Sequence, residues 1–182
     1  RFRSQAPPTG QWDRASVQNA LQKSLDDPES DIVVTSGPLG SWLAAHSPSP
    51  LPKPVLGLLY AETPLFGLAF PGTDGSGIPN LSLLSIQELV QNDFAALRRL
   101  TSATTLLVVM DAAYLQALPG IVENLKERAR SLGLTLKFRP VEADPAEALP
   151  RHTLPGKTAV YLGPTPRLTE KERFALIRNS TT

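Results

Sequence analysis

Thr105-Leu-Leu-Val-Val-Met-Asp-Ala-Ala-Tyr114 is an apolar run that ends on a carboxylate and passes directly into a helix-forming stretch. Asp31-Ile-Val-Val-Thr-Ser-Gly-Pro-Leu-Gly40 and Thr158-Ala-Val-Tyr-Leu-Gly-Pro-Thr-Pro166 repeat the pattern. A β-branched-rich run without polar alternation predicts a strand buried on both faces, as in a parallel sheet covered by helices. Such sheets bind ligands in the crevice beyond the carboxyl ends of their strands, so the three loops that follow these runs are where function is expected.

Outward from these runs the rest of the chain falls into alternating elements. Asp13 is placed to cap a helix with Val17, Ala20, Leu21 and Leu25 on one face, ended by Pro28. A strand over 31–36, a turn at Gly37-Pro38 and a short helix over 39–46 follow. The four prolines of Ser47-Pro-Ser-Pro-Leu-Pro-Lys-Pro54 forbid regular structure. Residues 55–60 read as a second buried strand, and 65–70 as an edge strand bracketed by Pro64 and Pro71. Ser85 and Glu88 form an S-x-x-E capping box, with Leu84 and Leu89 at the staple positions, which predicts a helix over 85–100. A helix after Asp111 is expected in two pieces, because Pro119 suits a first turn, and Gly133 closes it. Residues 134–141 read as a strand nearer an edge, 145–149 as a helical turn and 159–162 as another buried strand. Thr169 and Glu172 then cap a last helix. This order predicts two α/β lobes, residues 1–84 and 85–182.

Composition narrows the function classes. The 182 residues are 41% hydrophobic and 19% charged, enough to bury roughly 70% of the unfolded chain's surface. A formal net charge of +1, with basic residues scattered apart from the Lys126 to Arg130 stretch, leaves no electrostatic footprint for nucleic acid. Without cysteine there is neither a disulfide framework nor a thiolate metal site. His46 and His152 lack a partner at zinc-ligand spacing, and there is no G-x-S-x-G elbow, so neither a metal centre nor a hydrolase triad is expected. The carboxylates Asp26, Asp27, Glu29 and Asp31 flank a helix end and a strand start, as a solvated turn does. The loop Gly72-Thr-Asp-Gly-Ser-Gly77 lacks the Lys-Ser/Thr ending of a phosphate-binding loop. No catalytic constellation and no cofactor motif emerge. The first residues carry no apolar signal-peptide core, and the last predicted helix ends without a following strand, so the chain reads as an internal piece of a longer protein.

The passages Asp31-Ile-Val-Val-Thr-Ser-Gly-Pro-Leu-Gly-Ser-Trp-Leu-Ala, Lys53-Pro-Val-Leu-Gly, Asn80-Leu-Ser, Leu106-Leu-Val-Val-Met-Asp-Ala-Ala-Tyr through Gly133-Leu-Thr-Leu, and Ala159-Val-Tyr-Leu-Gly-Pro-Thr-Pro-Arg-Leu-Thr resemble the ABC transporter substrate-binding proteins of the tryptophan/tyrosine-uptake-like type. The resemblance implies Rossmann-like three-layer αβα lobes with mainly parallel sheets, in the manner of type I periplasmic binding proteins but incomplete. It implies capture of a small amino-acid-like ligand between the lobes, no enzymatic activity, a membrane permease as partner, and a periplasmic or cell-envelope location. Ligand contacts would come from Ser36, Gly37, Pro38 and Leu39, from Tyr60 and Glu62, from Asp111 and Tyr114, and from Thr165. Each has a plainer reading: Gly37-Pro38 as a turn, Asp111 as a helix cap, and the tyrosines as packing residues. Tyr161, in mid-strand, reads as core. Two other functions fit the same elements: a cell-envelope interaction module without a ligand, and a cytoplasmic Rossmann-like nucleotide-binding enzyme.

Overall fold

The computed structural model describes residues 12–68, 76–142 and 156–180. The protein is α/β, with two three-stranded sheets that are parallel throughout. In chain order the elements are α1 (Arg14–Asp26), β1 (Val33–Ser36), α2 (Pro38–Ala45), β2 (Val55–Leu58), a 3-10 turn (Thr63–Phe66), β3 (Leu81–Leu84), α3 (Leu89–Thr101), β4 (Thr105–Asp111), α4 (Ala112–Ala117), α5 (Ile121–Ser131), β5 (Thr135–Val141), β6 (Thr158–Leu162) and α6 (Glu170–Ser180). The expected turn at 145–149 lies outside the described residues. No helix among the described residues is long and apolar enough to cross a membrane.

The second sheet has the order β5-β4-β6 and a helix layer on each side. Along β4, Leu106, Val108 and Met110 point into the main core that also holds Phe94, Leu125 and Ala129 of α3 and α5. Val109 points the other way, into a smaller cluster with Val141, Leu168 and Leu176, so α6 covers that face. The run Thr105–Asp111 is therefore a central strand buried on both sides. β6 is less covered than its run suggests: it is a sheet edge, and only Ala159 of its five residues is buried.

The first sheet has the order β1-β2-β3 and differs. Val33, Val55 and Leu81 share one buried face, with α1 and α2 packed on that side. The opposite face is open: Val34 is 55% and Leu84 62% exposed. The expectation that β1 is buried on both faces is thus corrected, because no described helix lies over its second face. Close approach of α2 to this sheet depends on Gly57, where an added Cβ would stand 2.4 Å from Leu83 Cδ2 and 2.8 Å from Ser41 Oγ.

Local caps explain several helix boundaries. Asp13 accepts from Ser16 N at 2.9 Å and starts α1. Thr169 and Glu172 exchange the two bonds of a capping box and start α6. Gly133, at φ 67°, donates to Arg130 O and closes α5. Two expectations are overturned. Ser85 and Glu88 form no capping box: the Ser85 hydroxyl accepts from Gln87, Glu88 becomes the N-cap residue itself at φ 55° without a side-chain cap bond, and the helix begins at Leu89. The residues before it, Leu81–Leu84, are instead the third strand. The expected strand over 65–70 is also absent from its described part. Pro64 and left-handed Gly67 fold Thr63–Phe66 into a 3-10 turn, and Asn124 of α5 donates to Leu65 O at 2.9 Å.

Candidate functional site

The two sheets direct the carboxyl ends of their strands at one cavity of about 450 Å³. Its walls come from the end of β1 (Ser36, Gly37, Pro38), the end of β2 (Leu59, Tyr60, Ala61), the end of β4 (Met110, Tyr114) and the end of β6 (Leu162 to Pro166). Leu65 and Phe66 of the 3-10 turn and Val90, Ile121 and Leu125 of the helices fill in between.

Backbone pairing continues past the strands and fixes these loops. Gly37 N donates to Leu58 O at 3.0 Å, and Leu59 N to Leu84 O at 2.9 Å. On the second sheet Gly163 N donates to Val109 O and Asp111 N to Pro164 O. Gly163 has to be glycine for that approach, since a Cβ there would lie 2.5 Å from Met110 Cγ. The start of α2 is fastened from behind: the fully buried Ser41 hydroxyl donates to Gly37 O and lies 3.0 Å from Thr35 Oγ1. Gly37 has φ 106°, which a residue with a side chain rarely adopts.

Six of the nine residues expected at the site are brought together in the lining: Ser36, Gly37, Pro38, Tyr60, Tyr114 and Thr165. Tyr60 is half exposed and its hydroxyl lies 3.2 Å from Ser36 Oγ. Tyr114 is buried, and burial raises its phenol above the ordinary range, so it is held neutral. The other three stand behind the walls. Leu39 is a core residue of α2. Asp111 is a helix cap: Oδ1 accepts from Ala113 N at 2.9 Å, and Oδ2 accepts from Arg167 Nε at 2.7 Å. Glu62 is 2% exposed, with neither carboxylate oxygen hydrogen-bonded, and its nearest cation is Arg128 Nε at 3.9 Å.

Several lining residues escaped the sequence. Tyr161, expected as core, is half-buried on the cavity wall, its hydroxyl donating to Asp93 at 2.9 Å and its ring edge-on to Phe94. Burial first, then Asp93 and Glu62, raise its phenol, so it too stays protonated. Tyr161 also packs against the main core, as expected, and nothing local in the sequence marks its second role on the cavity wall. Trp12 and Arg173 also line the cavity, and no local motif marks either.

Chemically, the cavity is an apolar and aromatic chamber with a few hydroxyls, of the size that holds a small organic molecule. No group of three metal-ligating side chains exists among the described residues. The chain matches no protein-family model, and no curated protein matches it.

Proposed function

We propose that the protein captures a small organic solute, of amino-acid-like size, between two α/β lobes, as the solute-binding component of an ABC-type transport system that delivers it to a membrane permease at the cell envelope. The observation that carries this reading is the convergence of strand ends from both sheets on one cavity, so that a ligand there touches both units at once. A ligand in that position couples its binding to their relative movement. The resemblance to substrate-binding proteins supports the transport role. The test is a thermal-shift screen of the chain against amino acids, organic acids, peptides, nucleosides and nucleotides. A ligand at about 100 times its Kd adds about 2.7 kcal/mol, or roughly 5–10 °C for a chain of this size. A response confined to nucleotides, or none to any solute, refutes the proposal.

A second reading, an interaction module for other cell-envelope proteins, is favoured by the open face of the first sheet, where Ile32, Val34 and Leu84 are exposed. It predicts an unresponsive cavity together with self-association or capture of an envelope component, measured by light scattering and cross-linking.

A further inference from the structure

The charge of the cavity is one-sided. Among the described lining residues Arg173 is the single charged side chain, and no aspartate, glutamate, lysine or histidine joins it. Arg173 lies in the second turn of α6, where its backbone N–H donates to Thr169 O. No carboxylate among the described residues pairs with its guanidinium. Three carboxylates stand behind the lining: Asp111 is engaged by Arg167, Asp93 accepts from the Tyr161 hydroxyl, and Glu62 lies on the side of Arg128, within electrostatic reach of Tyr161. Ser36, Tyr60 and Thr165 offer hydroxyls, which can hydrogen-bond a ligand of either sign but compensate no charge.

An ammonium moved from water into such a chamber loses its hydration and meets no carboxylate among the described lining residues, a cost that cavities for amines avoid by supplying one in direct contact. A carboxylate has the opposite fate, because a guanidinium offers it paired, charge-assisted donors. Arg173 is solvent-exposed, so a ligand anchored on it keeps its charge at the mouth and places its apolar body among Leu65, Phe66, Val90 and Ile121.

We infer that the cavity takes a small monoanionic acid with an aryl or branched alkyl body and no free ammonium, held through its carboxylate by Arg173. The inference rests on the cavity being the ligand site and narrows the amino-acid-like range to acids without the amine.

Three probes on one carbon skeleton test it by calorimetric titration: 3-phenylpropanoate (anion), L-phenylalanine (zwitterion) and 2-phenylethylamine (cation). The expected order is anion tightest, zwitterion about tenfold or more weaker, and no measurable binding of the cation. Arg173→Gln should weaken the anion about tenfold or more, Arg173→Lys less. Lys171→Gln, which removes a charge from the same helix outside the lining, should leave the affinity unchanged within about twofold. Equal or tighter binding of phenylalanine or the amine overturns the inference, and so does an Arg173→Gln variant that binds the anion normally. If none of the three probes binds, the inference falls as well. The broader solute screen separates that failure from failure of the parent proposal: a shift with any other non-nucleotide solute keeps solute capture, and no shift removes both.

Discussion

Glu62 carries a strong energetic prediction. The residue is 2% exposed, its carboxylate accepts no hydrogen bond, and its only close cation among the described residues is Arg128, at 3.9 Å. That arginine is one-third exposed and also donates to Gln91 Oε1 at 3.2 Å. At an effective dielectric constant of about 20, two unit charges about 4 Å apart attract by roughly 4 kcal/mol. Against this stand several kcal/mol of desolvation for the buried ion and about 1–3 kcal/mol for each polar atom left unsatisfied. The balance is unfavourable, so Glu62→Met, which keeps the length and removes both oxygens, should stabilise the protein by about 1–2 kcal/mol. For a chain of this size that raises Tm by roughly 2–8 °C. Urea unfolding followed by far-UV circular dichroism measures it, with an unchanged m value as the check that the transition is the same one. Arg128→Met should destabilise, because it leaves the carboxylate without a counter-charge, and the double variant should recover most of that loss. A Glu62→Met protein less stable than the parent by about 1 kcal/mol or more would refute the reasoning, since the carboxylate would then be satisfied in a way its geometry does not provide.

Gly57→Ala puts a methyl 2.4 Å from Leu83 Cδ2 between β2 and α2 and should cost about 1–3 kcal/mol in chemical denaturation. Asp111→Ala removes the cap of α4 and the partner of Arg167, so it should cost about 1–3 kcal/mol, with the exposed arginine contributing the smaller part. Tyr114 and Tyr161 have phenols raised above the ordinary 10.0. The folded state therefore holds their protons more tightly than the unfolded chain does. Their contribution is intact below pH 10.0 and is lost as pH rises above it, by up to about 1.4 kcal/mol per pH unit per tyrosine. Stability curves at alkaline pH check this, and Tyr161→Phe should make the decline shallower.

The legible parts of the fold were those decided locally. The run Leu106 to Met110 is apolar on both faces and became the central strand, the break at Pro119 separates α4 from α5, and Gly133 and the Thr169–Glu172 box sit where caps are needed. The misread parts were decided by neighbours. Ser85 and Glu88 have the residues of a capping box, but pairing of Leu81–Leu84 with β2 claims the preceding chain and moves the helix start to Leu89. Leu65 and Phe66 are apolar enough for a strand, yet Gly67 turns the chain and Asn124, far away in sequence, binds Leu65 O. Ile32 and Val34 looked buried because composition cannot show that the second face of their sheet is uncovered.

The same division runs through the site. Ser36, Gly37 and Pro38 could be chosen because a strand end opening a helix is visible in one stretch of sequence. Glu62 and Asp111 sit at strand ends too, but their side chains turn into the protein, toward Arg128 and Arg167. Arg173 and Trp12 reach the cavity from helix α6 and from the residues before α1, positions set by packing of distant elements.

The central claim is that one ligand site is shared by the strand ends of both sheets. Amide hydrogen exchange tests it most directly, comparing the free protein with the protein saturated by the solute that gives the largest thermal shift. The account predicts that protection rises together at residues 36–39 and 59–61 beside the first sheet and at residues 110–114 and 162–165 beside the second. Protection gained beside only one sheet, or confined to the open face of the first sheet around Val34 and Leu84, would contradict it.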